Sequence, residues 1–262
     1  MSILEALILG LLQGITEFLP VSSSGHLVLL QRIFGLEEGV FTFTIVVHVA
    51  TLIPVLFVYY NRVKSIIKKP FQKLTLLLIL GTVPTVIAVV LFGDWIDTLF
   101  AGYFLAFGFL LTGVAMILTD RSKQGSKSLD QMTRKDALIV GLFQAVAIIP
   151  GVSRSGSTIA GAVACDVDRE SAINFSFLLS IPAIAGGTVL EIRHVIVGNT
   201  AMESLLTWPM LVGFLAAMIS GYLAIKLMLR IVAASKLSYF AYYLIILAVL
   251  IFIDQMFTNF VF

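Results

Sequence analysis

The sequence predicts an all-α polytopic membrane protein with six transmembrane helices plus two re-entrant helix-loop-helix segments in an inverted-topology repeat. Three observations carry this. Of the 262 residues 59% are hydrophobic and only 12% charged, and the mean hydropathy is +1.05. Six apolar runs reach spanning length. A Gly-Leu-x-Gln segment followed by Val-Ser-x-Ser-Gly occurs twice, 131 positions apart.

Composition comes first because it excludes the most. An average globular protein carries roughly 25% charged residues, and a water-soluble surface cannot be built from half that share. A soluble enzyme, a nucleic-acid binder and a disordered chain are ruled out. The net charge of +2 implies no polyanionic partner. Cys165 is the only cysteine, which excludes a disulfide framework and a cysteine-based metal centre. The N-terminal segment lacks the basic region and small-residue cleavage site of a signal peptide, so its retention is expected.

The six spans are expected over 41–60, 74–92, 103–119, 172–192, 208–229 and 239–257, each near the roughly 20 residues that cross a bilayer. Tyr59, Tyr60, Trp95, Tyr103, Trp208 and Tyr239 fall at their ends, where amphipathic rings favour the headgroup region. Two other stretches, 1–19 and 137–149, run into proline and a short Ser/Gly segment. Each resumes as a second apolar piece, over 27–34 and 159–165. Broken runs of this length read as re-entrant.

Loop charge fixes the parity. Basic residues cluster at Arg62, Lys64, Lys68, Lys69 and Lys73, at Arg121, Lys123, Lys127, Arg134 and Lys135, and at Lys226, Arg230 and Lys236. The positive-inside rule places all three clusters in the cytoplasm. The segment 137–165 must then enter and return on the cytoplasmic side. The first broken segment enters from the outer face, and both termini lie outside. Gly125 and Gly198 are accordingly expected on opposite sides of the membrane.

A shift of 131 positions aligns Gly10, Leu11 and Gln13 with Gly141, Leu142 and Gln144, and Val21, Ser22, Ser24 and Gly25 with Val152, Ser153, Ser155 and Gly156. The chain reads as one membrane domain, with repeat one over about 1–119 and repeat two over about 136–262. Three spans per repeat is an odd number, so the two repeats are inverted. Broken helices meeting near the midplane are a transporter architecture, which makes a transporter or flippase of a lipid phosphate the alternative to an enzyme.

The serine loops point to anion chemistry. Proline ends the first helix of each pair, and serine and glycine suit the cap and turn before the second. Unpaired N–H groups and the positive end of the helix dipole at that point favour phosphate. Ser22, Ser24, Gly25, Ser153, Ser155, Gly156 and Thr158 are the candidate phosphate-binding residues. Around them sit Glu17, His26 and Arg154, ionisable groups whose burial in a bilayer costs at least about 2.5–3.5 kcal/mol each on insertion scales. Gln13 and Glu17 are four apart and share a helix face. One carboxylate with one amide oxygen suits Mg²⁺, which keeps waters and also binds substrate phosphates. Ser23 or His26 offers a nucleophile or base, and Arg154 a bidentate phosphate clamp. That set describes phosphoryl transfer.

At these residues the sequence resembles the undecaprenyl-diphosphatase family of the bacitracin-resistance type. One signature stands as Gln13-x-x-x-Glu17, followed by Phe18-Leu19-Pro20-Val21-Ser22-Ser23-Ser24-Gly25-His26. The other stands as Pro150-Gly151-Val152-Ser153-Arg154-Ser155-Gly156-Ser157-Thr158. The resemblance covers essentially the whole chain. It implies hydrolysis of undecaprenyl diphosphate to undecaprenyl phosphate and phosphate, which regenerates the lipid carrier for cell-wall polymers and confers bacitracin resistance. It also implies a divalent cation, Mg²⁺ or Ca²⁺, a bacterial cytoplasmic membrane location and a site open to the outer face. Gln13 is the permitted variant at the first signature position, leaving Glu17 as the acidic metal ligand. The expected partners are the polyprenyl diphosphate substrate and membrane lipids, with no nucleic acid and a homodimer left open. The phosphatidate-phosphatase class needs a second histidine six residues after its arginine, where this chain has Ala160. Either Ser23 or His26 can be the nucleophile, and Ser23 assisted by His26 is favoured. His48, inside a span, has no role in the signatures and is expected to be buried and hydrogen-bonded.

The shared helix face generates a first prediction. Glu17→Gln abolishes most hydrolysis and weakens dependence on added Mg²⁺ or Ca²⁺, whereas Gln13→Glu is tolerated. Near-normal turnover of Glu17→Gln with unchanged metal dependence removes the carboxylate from the ligand set.

Overall fold

The computed structural model describes residues 1–36, 40–99, 104–197, 207–233, 237–258 and 261. Eleven α-helices occur among them: α1 Ile3–Phe18, α2 Ser23–Ile33, α3 Val40–Val58, α4 Tyr60–Lys68, α5 Lys73–Leu99, α6 Leu105–Arg121, α7 Arg134–Val146, α8 Arg154–Ala164, α9 Arg169–Val197, α10 Trp208–Ala233 and α11 Ser238–Ile253. The described residues hold no strand, only an isolated bridge between Lys127 and Val167. Five helices (α3, α5, α9, α10 and α11) are long and apolar enough to cross a membrane. The chain is a helical, multi-pass membrane protein. The sixth expected span, α6, has 17 residues, at the short end of what a bilayer requires. Tyr103, Gly198 and Lys236 lie outside the described residues.

Helix ends depart from the apolar runs in two informative ways. The second pieces, expected to begin at 27 and 159, begin at Ser23 and Arg154 instead. Ser22 and Ser153 are side-chain caps, each accepting from the N–H three residues on, so the polar residues after them are the first helical turn. The segment between α3 and α5, expected as a basic loop, contains α4. Its Val63 and Ile66 pack on the core, while Arg62, Lys64 and Lys68 are exposed. Too few apolar residues occur there for hydropathy to mark a helix, yet they share one face.

Helix packing relies on small residues, as expected where lipid removes the hydrophobic drive for association. α1 packs on α10 and α7 on α5. A Cβ at Gly10 would run into the Gly213 carbonyl oxygen, and one at Gly141 would come within 2.5 Å of the Gly81 carbonyl oxygen. α6 packs on α11, and α3 lies against α9 and α10. The outward faces keep apolar residues exposed, including Val86, Ile87, Val90 and Leu91 on α5 and Tyr242, Ile246 and Val249 on α11. A soluble protein would not leave surfaces of this extent uncovered.

The fold decides where the expected topology can be probed. Gly125 is buried, and a Cβ there would run into the Val167 backbone, so a cysteine at 125 disturbs the loop it reports on. Lys123, two residues earlier, is exposed. With Cys165 replaced, an impermeant thiol reagent applied to intact cells labels Gly198→Cys and spares Lys123→Cys. Equal labelling of both refutes the parity argument.

Candidate active site

Two chain breaks carry the site. After α1 the chain is extended at Leu19, passes Pro20, and enters α2 through Ser22 at φ +68°. A left-handed φ is costly for a non-glycine residue, of order 1–3 kcal/mol. After α7 the chain passes Pro150 and turns at Gly151, φ +83°, where glycine pays no such penalty. The two helix starts repeat one another. Gly25 N donates to Ser22 Oγ at 3.3 Å, and Gly156 N donates to Ser153 Oγ at 3.1 Å. Ser22 and Ser24 hydroxyls lie 3.4 Å apart, and those of Ser153 and Ser155 3.2 Å apart.

The breaks meet. Ser155 Oγ donates to the Leu19 carbonyl at 2.9 Å, and Thr112 of α6 accepts from Ser153 N at 2.9 Å. The buried carboxylate of Glu17 is the point of convergence. Arg154 Nη2 donates to its Oε1 at 2.6 Å. Ser23 Oγ donates to Oε2 at 2.6 Å, and Gln13 Nε2 to the same oxygen at 3.0 Å. On the far side, Arg154 Nη1 reaches the Ser176 carbonyl of α9 at 3.5 Å. Thr158 Oγ1 donates to the Arg154 carbonyl at 2.9 Å and lies 2.6 Å from Ser176 Oγ.

Four predicted residues (Gln13, Glu17, Ser23 and Arg154) are therefore brought together. Gly25 and Gly156 offer N–H groups already held by the caps, and Ser155 and Thr158 spend their hydroxyls on tying the breaks to each other and to α9. The other first-turn N–H groups of α2 and α8 have no intrahelical acceptor, as at any helix start.

His26 departs from expectation. Its Nδ1 lies 2.7 Å from the Ser22 carbonyl and its Nε2 2.6 Å from the Tyr243 hydroxyl of α11. The ring stacks on Tyr243 and meets the edge of Phe109. Both nitrogens are committed, and the group on Ser23 is Glu17. The physical reason is the early start of α2, which puts His26 a full turn beyond the cap and within reach of the Ser22 carbonyl. His48 is the residue that sequence reasoning set aside. Its Nδ1 is 2.8 Å from the Thr44 carbonyl, as a hydrogen-bonded histidine should be, but its Nε2 lies 3.9 Å from Glu17 Oε2 and its side chain is only half-buried. An ionisable residue inside an apolar span was the available signal.

Residues 6–250 match the family described as bacitracin resistance protein BacA. The chain belongs to this family. It is 49% identical to an undecaprenyl-diphosphatase of Carboxydothermus hydrogenoformans over 97% of this chain and 98% of that protein. It is 43% identical to undecaprenyl-diphosphatase 3 of Bacillus cereus over the same shares. An undecaprenyl-diphosphatase of Halothermothrix orenii is 41% identical, again over 97% and 98%.

In this BacA-family chain a divalent cation can be tested against the donors present. Gln13 Oε1 is buried without a hydrogen-bond partner, and it sits on the side chain whose amide nitrogen touches Glu17. A buried unpaired amide oxygen beside a carboxylate and a hydroxyl is an all-oxygen donor set, which fits a hard cation. Among the described residues no group of three or more His, Cys, Asp or Glu gathers. Gln144, the repeat mate of Gln13, also has an unpaired Oε1, but Ile148 stands where Glu17 has its counterpart. Only one half of the molecule carries the carboxylate.

The His26 contact is testable by itself. Tyr243→Phe leaves a buried ring nitrogen without its partner, a loss of about 1–3 kcal/mol. A lower midpoint of thermal unfolding in detergent is expected, and an unchanged midpoint means the contact does not form.

Proposed function

We propose that this chain hydrolyses undecaprenyl diphosphate to undecaprenyl phosphate and phosphate, as a membrane-embedded phosphatase that recycles the lipid carrier for cell-wall polymer synthesis and confers bacitracin resistance. The observation that carries the chemistry is the 2.6 Å contact between Ser23 Oγ and Glu17 Oε2, with Arg154 on the other carboxylate oxygen. Family membership and the names of the relatives supply the substrate class.

Ser23 Oγ attacks the terminal phosphorus, and Glu17 takes its proton. The bond from phosphorus to the bridging oxygen breaks, and undecaprenyl phosphate leaves. Glu17 passes that proton to the departing undecaprenyl phosphate and, again a carboxylate, takes one from water as the water attacks the phosphoserine; phosphate departs and the proton returns to Ser23 Oγ. Arg154 holds phosphoryl oxygens through its guanidinium fork, and the free first-turn N–H groups of α2 and α8 receive the remaining charge. A route through phosphohistidine has less support, because His26 Nε2 already holds Tyr243. A divalent cation, when bound, would be held by Gln13 and Glu17 and would withdraw charge from the phosphoryl oxygens.

The same reading places six crossing helices, α6 included, around two re-entrant pairs, α1–α2 and α7–α8, in an inverted repeat with both termini outside. The exchange of partners supports it: α1 packs on α10 as α7, its repeat mate, packs on α5. The two serine caps repeat with the same geometry. The site then opens to the outer face of the bacterial cytoplasmic membrane. The repeat also supports a lipid-phosphate flippase, but flipping requires no serine held on a carboxylate.

Phosphate release from purified protein in detergent tests the enzyme reading. Turnover is expected without EDTA and lost with it, and Ser23→Ala is expected to be inactive. Arg154→Lys keeps the charge but loses the fork, and should fall roughly a hundred- to a thousandfold. Folded Arg154→Lys within about threefold of the parent, a cost below 1 kcal/mol, makes Arg154 a tie between the halves and removes it from the mechanism. A pure protein that releases no phosphate from undecaprenyl diphosphate under any metal refutes the hydrolase.

A further inference from the structure

The oxygen donors around Glu17 have a ring nitrogen beside them. His48 Nδ1 lies 2.8 Å from the Thr44 carbonyl. A carbonyl oxygen only accepts, so Nδ1 carries a hydrogen, and in the neutral tautomer Nε2 is the nitrogen left to present a lone pair. Nε2 lies 3.9 Å from Glu17 Oε2. The separation is too long for a hydrogen bond. It matches two ligands of one cation: metal–ligand bonds of about 2.0–2.2 Å put ligand atoms between about 3 and 4.3 Å apart. Gln13 supplies an independent sign, since its amide touches the same Oε2 while its Oε1 is buried and unpaired. His26 offers no such lone pair, because both its nitrogens are engaged.

We infer that His48 Nε2 is a third protein ligand of the divalent cation, completing a set with Gln13 Oε1 and the Glu17 carboxylate. This rests on the cation reading given above and goes beyond the Gln13-x-x-x-Glu17 pair. An imidazole changes which ion is preferred. Carboxylate and amide oxygens suit Mg²⁺ and Ca²⁺, whereas a ring nitrogen raises affinity for transition-series ions. The site therefore favours Mn²⁺ over Mg²⁺ and Ca²⁺. The Thr44 carbonyl orients the ring, the usual part of a group behind a ligating histidine.

The test uses the full-length protein in detergent, titrated with Mn²⁺ and followed by electron paramagnetic resonance, with spin-echo modulation reporting nitrogen bound to the ion. The parent is expected to bind Mn²⁺ and show modulation from one directly bound imidazole nitrogen. His48→Gln, which can present an oxygen in place of nitrogen, keeps Mn²⁺ binding, loses the nitrogen signal and shifts preference towards Mg²⁺. His48→Ala lowers Mn²⁺ affinity by roughly tenfold or more. Mn²⁺ bound through Glu17 without nitrogen modulation overturns the His48 ligand and leaves the Gln13–Glu17 site standing. Modulation that persists in His48→Gln assigns the nitrogen to another histidine and also overturns it. A parent that hydrolyses substrate yet binds no Mn²⁺, Mg²⁺ or Ca²⁺ overturns both this inference and the cation reading.

Discussion

The ion pair between Glu17 and Arg154 is the constraint on which the rest of the structure depends. The residues are 137 positions apart and belong to different broken helices, yet Nη2 and Oε1 meet at 2.6 Å in a buried setting. Neither charge is tolerable there alone, and breaking a buried pair by removing one partner typically costs about 3–5 kcal/mol. The pair therefore needs both breaks at the same depth and in contact. It also holds Glu17 as a carboxylate, the form in which it accepts from Ser23 and Gln13.

Backbone approach makes that meeting feasible. Gly10 lets α1 lie against Gly213 of α10, and Gly141 lets α7 lie against Gly81 of α5. Two equivalent close crossings bring the two proline breaks inward, where Ser155 closes on the Leu19 carbonyl. The same scaffold then carries unequal chemistry. One half presents Gln13, Glu17 and Ser23, and the other presents Gln144, Ile148 and Arg154 at the matching positions. Glu17 and Ser23 come from one half and Arg154 from the other, so the contacts of a repeated pair of helix breaks converge on a single carboxylate.

Much of this was legible in the residues. The apolar runs marked the membrane-length parts of α3, α5, α9, α10 and α11 to within a few residues, because a bilayer demands length and hydropathy that little else in a chain imitates. Helix α4 was not legible, since its apolar face is narrow and its basic residues resemble a loop. At the site, the four-residue spacing placed Gln13 and Glu17 on one face, and the cost of burying charge singled out Glu17 and Arg154. His26 was expected to assist Ser23 and His48 to be a buried, hydrogen-bonded histidine, yet His48 is the one that lies near Glu17. Proximity in sequence favoured His26, three residues from Ser23, while His48 reaches the carboxylate from a different helix.

The sequence by itself determined that the chain lies in a membrane, that it is built from a repeated helix–proline–serine unit, and that a carboxylate, a serine and an arginine are embedded where lipid should exclude them. These follow from composition, periodicity and desolvation, which are local or additive properties of the chain. Only the tertiary structure decided which groups touch. It put Glu17 on Ser23, turned His26 to Tyr243, and brought His48 Nε2 to 3.9 Å from the carboxylate. Side-chain partnership across helices depends on crossing geometry and on the residue at which each helix starts, and a shift of a few residues in the start of α2 was enough to send an imidazole elsewhere.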